Sequence, residues 1–131
     1  MVAITPLYAG FFGFVLVWLS WRIVSLRNKT QIKMGDGGHE ELIAATRAQD
    51  NLLEYLPVAL LLMLIAEQLE FSAPIIHGLG LLLVLARVLH LKGLREPSGK
   101  SKLRKLGTRL TWLQVSIGAT LCIAGAFGYR I

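Results

Sequence analysis

Acidic residues are scarce in this chain and cysteine is nearly absent. Eight Asp and Glu stand against 14 Lys and Arg, and Cys122 is the single thiol among 131 residues. One cysteine excludes an intrachain disulfide framework, and a thiol deep in an apolar run suits packing better than nucleophilic chemistry. Metal-ligand spacings of His and Cys, a Walker phosphate loop, a dinucleotide fingerprint and a serine-nucleophile elbow are all missing, which removes several common enzyme classes. Internal repeats and low-complexity tracts are missing too. No Lys/Arg-rich segment precedes the first apolar run, so that run reads as a retained membrane span rather than a cleaved signal peptide.

Charge is missing above all from three long stretches. Met1 to Trp21, Phe71 to Ala86 and Leu110 to Tyr129 carry no Asp, Glu, Lys or Arg. A helix crossing the hydrocarbon of a bilayer needs about 20 mostly apolar residues. Two of these runs meet that length, and the middle one reaches it by continuing past Arg87 to Leu91. A fourth segment, centred on Leu52 to Ala66, is apolar only in its second half. With 54% hydrophobic residues, the expectation is an all-α, integral membrane four-helix bundle in one domain, residues 1–131.

The excess of base, +6 overall, is distributed in a way that argues against nucleic acid as a partner. Arg22, Arg27, Lys29 and Lys33 follow the first run; Lys92, Arg95, Lys100, Lys102, Arg104, Lys105 and Arg109 surround the third connection. The other side has Arg130, with Glu67 and Glu70 in the second connection. This asymmetry predicts basic connections in the cytoplasm, close to anionic lipid headgroups, and both termini on the far side of the membrane.

Along the chain, helix one is expected from about Pro6 to Leu26, roughly 31 Å long, with Trp18 and Trp21 near the interface and Gly10 and Gly13 in ordinary packing. Gly35-Asp36-Gly37-Gly38 is a turn, after which Asp36 or His39 caps helix two and Glu40 and Glu41 complement its positive end. Pro57 is expected to bend helix two. Helix three starts near Ser72-Ala73-Pro74 and ends near Leu94, broken by Glu96-Pro97-Ser98-Gly99. His77, near its outer end, reads as a surface hydrogen-bonder. A basic, flexible tract then leads to Lys105, and helix four runs from about Thr108 to Tyr129. Its Gly118, Ala119, Gly125 and Gly128 suit close helix packing in lipid.

The polar half of helix two organises the chain. At about 100° per residue, Arg47, Asn51 and Glu54 fall in a narrow arc with Asp50 beside them, while Gln49 points away with Leu42, Leu52 and Leu56. Ionisable groups at membrane depth are expensive and normally face a bundle interior or wet cavity. One ion pair between Arg47 and Glu54 would not account for four polar groups on one stripe. With Arg27, Arg87, His90, Arg104 and Arg109 at the same ends of the helices, the residues suit an anionic, water-soluble ligand that also has an amine for Glu54.

Arg47-Ala48-Gln49-x-Asn51-x-x-Glu54-Tyr55-x-Pro57 resembles the signature of the MAPEG family, membrane-associated proteins of eicosanoid and glutathione metabolism, and is most similar to the leukotriene C synthase version. Arg87-Val88-x-His90 resembles the helix-three segment of microsomal prostaglandin E synthase. Ser25-Leu26-Arg27 falls where the family supplies an arginine from a neighbouring subunit. The length, helix order and orientation resemble a small bacterial member, which implies a multi-pass protein of the inner membrane with both termini periplasmic. The resemblance further implies a homotrimer with glutathione between adjacent subunits: Arg47, Asn51, Glu54 and Tyr55 binding the tripeptide, Arg27 and Gln49 contributed across the interface, and Arg87 and His90 at ligand-contact positions. A helix-four arginine, Arg104 or Arg109, would activate the thiol for attack on a lipophilic small molecule arriving from lipid. Leu94 departs from the pattern, standing where eicosanoid-forming members have tyrosine.

Three functions fit: a glutathione-dependent transferase or peroxidase, a non-catalytic lipid- or thiol-binding scaffold of the same fold, and a small transporter. Against transport, the charges gather at one membrane face and leave helices one and four without an ionisable midpoint.

Overall fold

In a computed structural model, which describes residues 3–94 and 101–130, four helices account for most of the described residues. They are α1 (Thr5–Thr30), α2 (Glu40–Gln68), α3 (Ala73–Gly93) and α4 (Lys102–Ala126). The first three are long and apolar enough to cross a membrane. The fourth, at 25 residues, has the length, but Thr111 and Gln114 dilute its apolar character. Both are fully buried against the bundle, so α4, like the Arg87–His90 end of α3, carries polar groups on its inner face.

Helices α2 and α3 each pack on all three others, whereas α1 and α4 do not pack on each other among the described residues. Leu52, Leu56, Ala59, Met63 and Ala66 of α2 form the core with Phe12 and Leu19 of α1 and Ile76, Leu79 and Leu83 of α3. The outward side chains of α1, including Phe11, Phe14, Trp18 and Trp21, remain exposed, as expected of a surface that meets lipid. Nothing lies within 4 Å of a side chain added at Gly10 or Gly13, so neither marks a close helix contact.

Helix α3 and α4 approach more closely, and glycine permits it. A Cβ on Gly107 would stand 2.6 Å from both the Ala86 carbonyl oxygen and the His90 nitrogen, and one on Gly93 would overlap the backbone of Arg104. Gly118 and Gly125 of α4 instead face side chains, Leu62 of α2 and Leu69 just beyond its end.

The helix ends follow their sequences with three differences. His39 is the cap of α2, its Nδ1 accepting from the Leu42 N–H at 3.4 Å, while Asp36 Oδ1 accepts from the Gly38 N–H at 2.9 Å and shapes the preceding turn. Helix α2 continues through Pro57 without interruption. The first difference is that α1 runs four residues past Leu26, closed by Gln31 in the left-handed region at φ 59°. The second bears on the site. Helix α4 begins at Lys102 instead of near Thr108, because Ser101 caps it, its Oγ accepting from the Arg104 N–H at 3.2 Å. Residues expected in a flexible basic tract therefore sit in the first turns of a helix. The expected break at Glu96-Pro97-Ser98-Gly99 lies outside the described residues. At the far end α4 stops at Ala126, three residues short of Tyr129.

Candidate functional site

Because α4 starts early, its first turns face the polar half of α2. An open groove of about 880 Å³ lies between them. From α2 it receives Arg47, Asp50, Asn51 and Glu54; from α4, Arg104, Lys105, Thr108, Arg109 and Trp112; from α3 and the residue that caps its end, His90 and Leu94; and from the α1–α2 connection, Asp36. Among the described residues Arg47, Asp50 and Glu54 form no ion pair, and the salt bridge present, Arg130–Glu70, lies at the other end of the molecule. The stripe on α2 thus faces space and not a partner of its own helix.

Beneath the groove lies a small buried network. Arg87, 3% exposed, donates from Nη1 to Asn51 Oδ1 at 2.6 Å and contacts His90 Nδ1 from Nη2 at 3.3 Å. Its Nε is buried without a partner. Such a cation would be prohibitive without neighbours that accept from it.

Three of the sequence-predicted residues are elsewhere. Arg27 folds back on the first connection, its guanidinium donating to the carbonyls of Ile32 at 3.3 Å and Gly35 at 2.8 Å; within its own chain it does not join the other cations, because those carbonyls hold it. Gln49 faces α1 and donates from Nε2 to Ser20 Oγ at 2.6 Å. Tyr55 is behind the groove wall, its hydroxyl accepting from the Trp112 indole N–H at 3.1 Å. The position of α2 between α1 and α4 explains the divergence of Gln49 from the Arg47 stripe: one face of the signature meets α1 and the other looks toward α4.

Sequence reasoning did not assign Lys105, Thr108 or Trp112 to the site. Their signal was conditional on the helix start. Once Ser101 is the cap, Arg104, Thr108 and Trp112 recur at i, i+4, i+8 on one face.

The MAPEG family profile matches residues 5–125, spanning all four helices. The chain belongs to the MAPEG family. Two curated relatives are both called inner membrane protein YecN, one from Escherichia coli strain K12 and one from E. coli O6:H1 strain CFT073. Each is 32% identical over 109 residues, covering 83% of this chain and 82% of the relative. The matched span includes every groove residue, so the site belongs to the part of the chain that carries family membership. The MAPEG family contains both glutathione transferases and non-catalytic members, so membership alone does not choose between them.

Proposed function

We propose that this protein is a glutathione-dependent membrane transferase or peroxidase acting on a lipophilic electrophile. The observation that carries the proposal is the charge arrangement of the groove: Arg104, Lys105 and Arg109 of α4 stand across one open space from Arg47, Asp50 and Glu54 of α2, with Asp36 of the α1–α2 connection at the same space. Glutathione has two carboxylates, one ammonium and two amides, an inventory to which four cations, three carboxylates and Asn51 are complementary. The volume falls within the roughly 300–1,000 Å³ of small-molecule sites.

Bound glutathione supplies the thiol that acts as nucleophile. Arg47 and Asn51 hold the tripeptide, Glu54 takes its ammonium, and Tyr55 supports the wall through Trp112. Arg104 or Arg109 holds negative charge on sulfur, lowering a thiol pKa that begins near 8.5. Trp112 and Leu94 offer an apolar margin to an electrophile entering from lipid. In a homotrimer, Arg27 and Gln49 of a neighbouring subunit would complete the site, since both lie on faces away from their own groove. We place the protein in the bacterial inner membrane, in line with the name of the E. coli relative, with both termini periplasmic. Cytoplasmic-only labelling of Ser72→Cys would overturn that orientation.

Calorimetric titration of the detergent-purified protein with glutathione tests the proposal; absence of binding removes it. Thiolate absorbance of the bound tripeptide should fall in Arg104→Ala or Arg109→Ala while affinity is nearly kept. Full absorbance in both single variants and the double variant would remove the catalytic step. Native mass spectrometry should find trimers. A specific observation favours the non-catalytic scaffold as second reading: Leu94 lines the groove at a position where a tyrosine hydroxyl would give a hydrogen bond.

A further inference from the structure

Arginine can only donate hydrogen bonds, whereas asparagine and neutral histidine each have one accepting and one donating side. Arg87 meets both kinds of neighbour. Its Nη1 takes the oxygen of Asn51, and its Nη2 lies against Nδ1 of His90. It does not line the groove itself, while Asn51 and His90 do. The remaining nitrogen of each, Asn51 Nδ2 and His90 Nε2, has no hydrogen-bond partner among the described residues. Neither is among the sealed, unpartnered atoms, which include Arg87 Nε and both amide atoms of Gln114.

We infer that Arg87 is a positioning residue that sets the polarity of the groove wall. By occupying the acceptor of Asn51 and the acceptor nitrogen of His90, it turns Asn51 Nδ2–H₂ and His90 Nε2–H toward the groove as a two-donor seat for a carboxylate, carbonyl or thiolate of the ligand. The amide of Asn51 cannot flip, because its NH₂ would then face a guanidinium that accepts nothing. The imidazole cannot carry its proton on Nδ1 for the same reason. The charge of Arg87 thus acts on the ligand through two neutral side chains. This deepens the proposed function, on which it rests for the choice of glutathione as probe; the tautomer itself is a property of the protein alone.

The test uses full-length protein with ¹⁵N-labelled histidine in lipid nanodiscs. The chain has 3 histidines, and the signal lost in His90→Gln identifies the one of interest. His90 should have a proton on Nε2 and a bare Nδ1; a proton on Nδ1 overturns the inference whether or not glutathione binds. In Arg87→Met the preference should relax to a mixture of tautomers, and glutathione affinity should fall at least tenfold although residue 87 is outside the groove. An unchanged tautomer in that variant overturns the positioning role of Arg87. Should Arg87→Met fail to fold, Asn51→Asp replaces it: the new carboxylate still accepts from Arg87 but presents an acceptor to the groove. It should keep the His90 tautomer and lose at least tenfold in glutathione affinity. Affinity equal to the parent in Asn51→Asp overturns the two-donor seat.

Discussion

Glu54 and Glu67 lie on the same helix, about 20 Å apart along its axis, in opposite surroundings. Glu67 is saturated. Its two oxygens accept the N–H groups of Ala3 at 2.7 Å, Ile4 at 2.6 Å and Thr5 at 2.7 Å. These open α1, a helix with no side-chain cap and no acid in its first turn. The carboxylate of α2 therefore caps α1 from outside, meeting both its orphan donors and its positive end. Glu54 faces a groove with bases across it and forms no ion pair among the described residues. Other polar groups divide the same way. At the Glu67 end, Glu70 pairs with Arg130 at 2.7 Å and Tyr8 bonds His77 at 3.0 Å. At the groove end, Arg47 and Asp50 are left for something else. Polar groups satisfied within the chain serve the fold, and those held apart over a cavity are available to a ligand.

The comparison breaks most drastically where the groove depends on packing. Gly107→Leu would drive a side chain into the Ala86 carbonyl and the His90 nitrogen. It should destabilise the protein by about 3 kcal/mol or more, and any folded fraction should have α4 displaced from α3 and the His90 wall disrupted. Thermal unfolding in detergent measures the first effect. A variant as stable as the parent would mean that the helices separate at little cost.

A crossed pair sharpens the division. Arg47→Ala should weaken glutathione binding by ten- to hundredfold, about 1.5–3 kcal/mol for a charge-assisted contact, and leave the unfolding midpoint unchanged. Glu67→Ala should do the reverse, losing about 2 kcal/mol of stability as three amides lose their acceptor while calorimetric affinity is kept. Loss of stability in Arg47→Ala, or loss of binding in Glu67→Ala, would erase the distinction between the two ends.

What was legible in the sequence follows the range of each interaction. The stripe Arg47, Asn51, Glu54 and its opposition to Gln49 are periodic within one helix, and the structure places them on opposite sides of α2. The four-helix order depended only on apolar run lengths. The start of α4 depended on a single serine that could equally have belonged to the loop. Glu67 was legible only as an acid in a connection, because its partners are more than 60 positions away. Arg87 was visible as a neighbour of His90 at i+3, but its bond to Asn51 joins two helices and has no local sign. Gly93 and Gly107 also looked ordinary, since only the partner backbone reveals what a side chain would strike.

The smallest expected effect isolates backbone conformation at the Glu67 end. Helices α2 and α4 finish alike: Phe71 N–H bonds the Ala66 carbonyl at 3.3 Å, and Tyr129 N–H bonds the Ala124 carbonyl at 3.1 Å. Each places the intervening residue in the left-handed region, Gly128 at φ 86° and Glu70 at φ 66°. Glycine occupies that region freely, whereas a residue with a Cβ is penalised by roughly 1 kcal/mol. Glu70 is offset only by its bond to Arg130, and with side chains 58% and 74% exposed for Arg130 and Glu70 such a pair contributes about 0–1 kcal/mol. Glu70→Ala should therefore lose up to about 1 kcal/mol, keeping the strain without the pair. Glu70→Gly should lie about 1 kcal/mol above the alanine variant. Denaturant unfolding of the two variants beside Arg130→Gln separates the contributions. Equal stability of the glycine and alanine variants would mean that the left-handed turn carries no strain, leaving the exposed ion pair as the whole effect of Glu70.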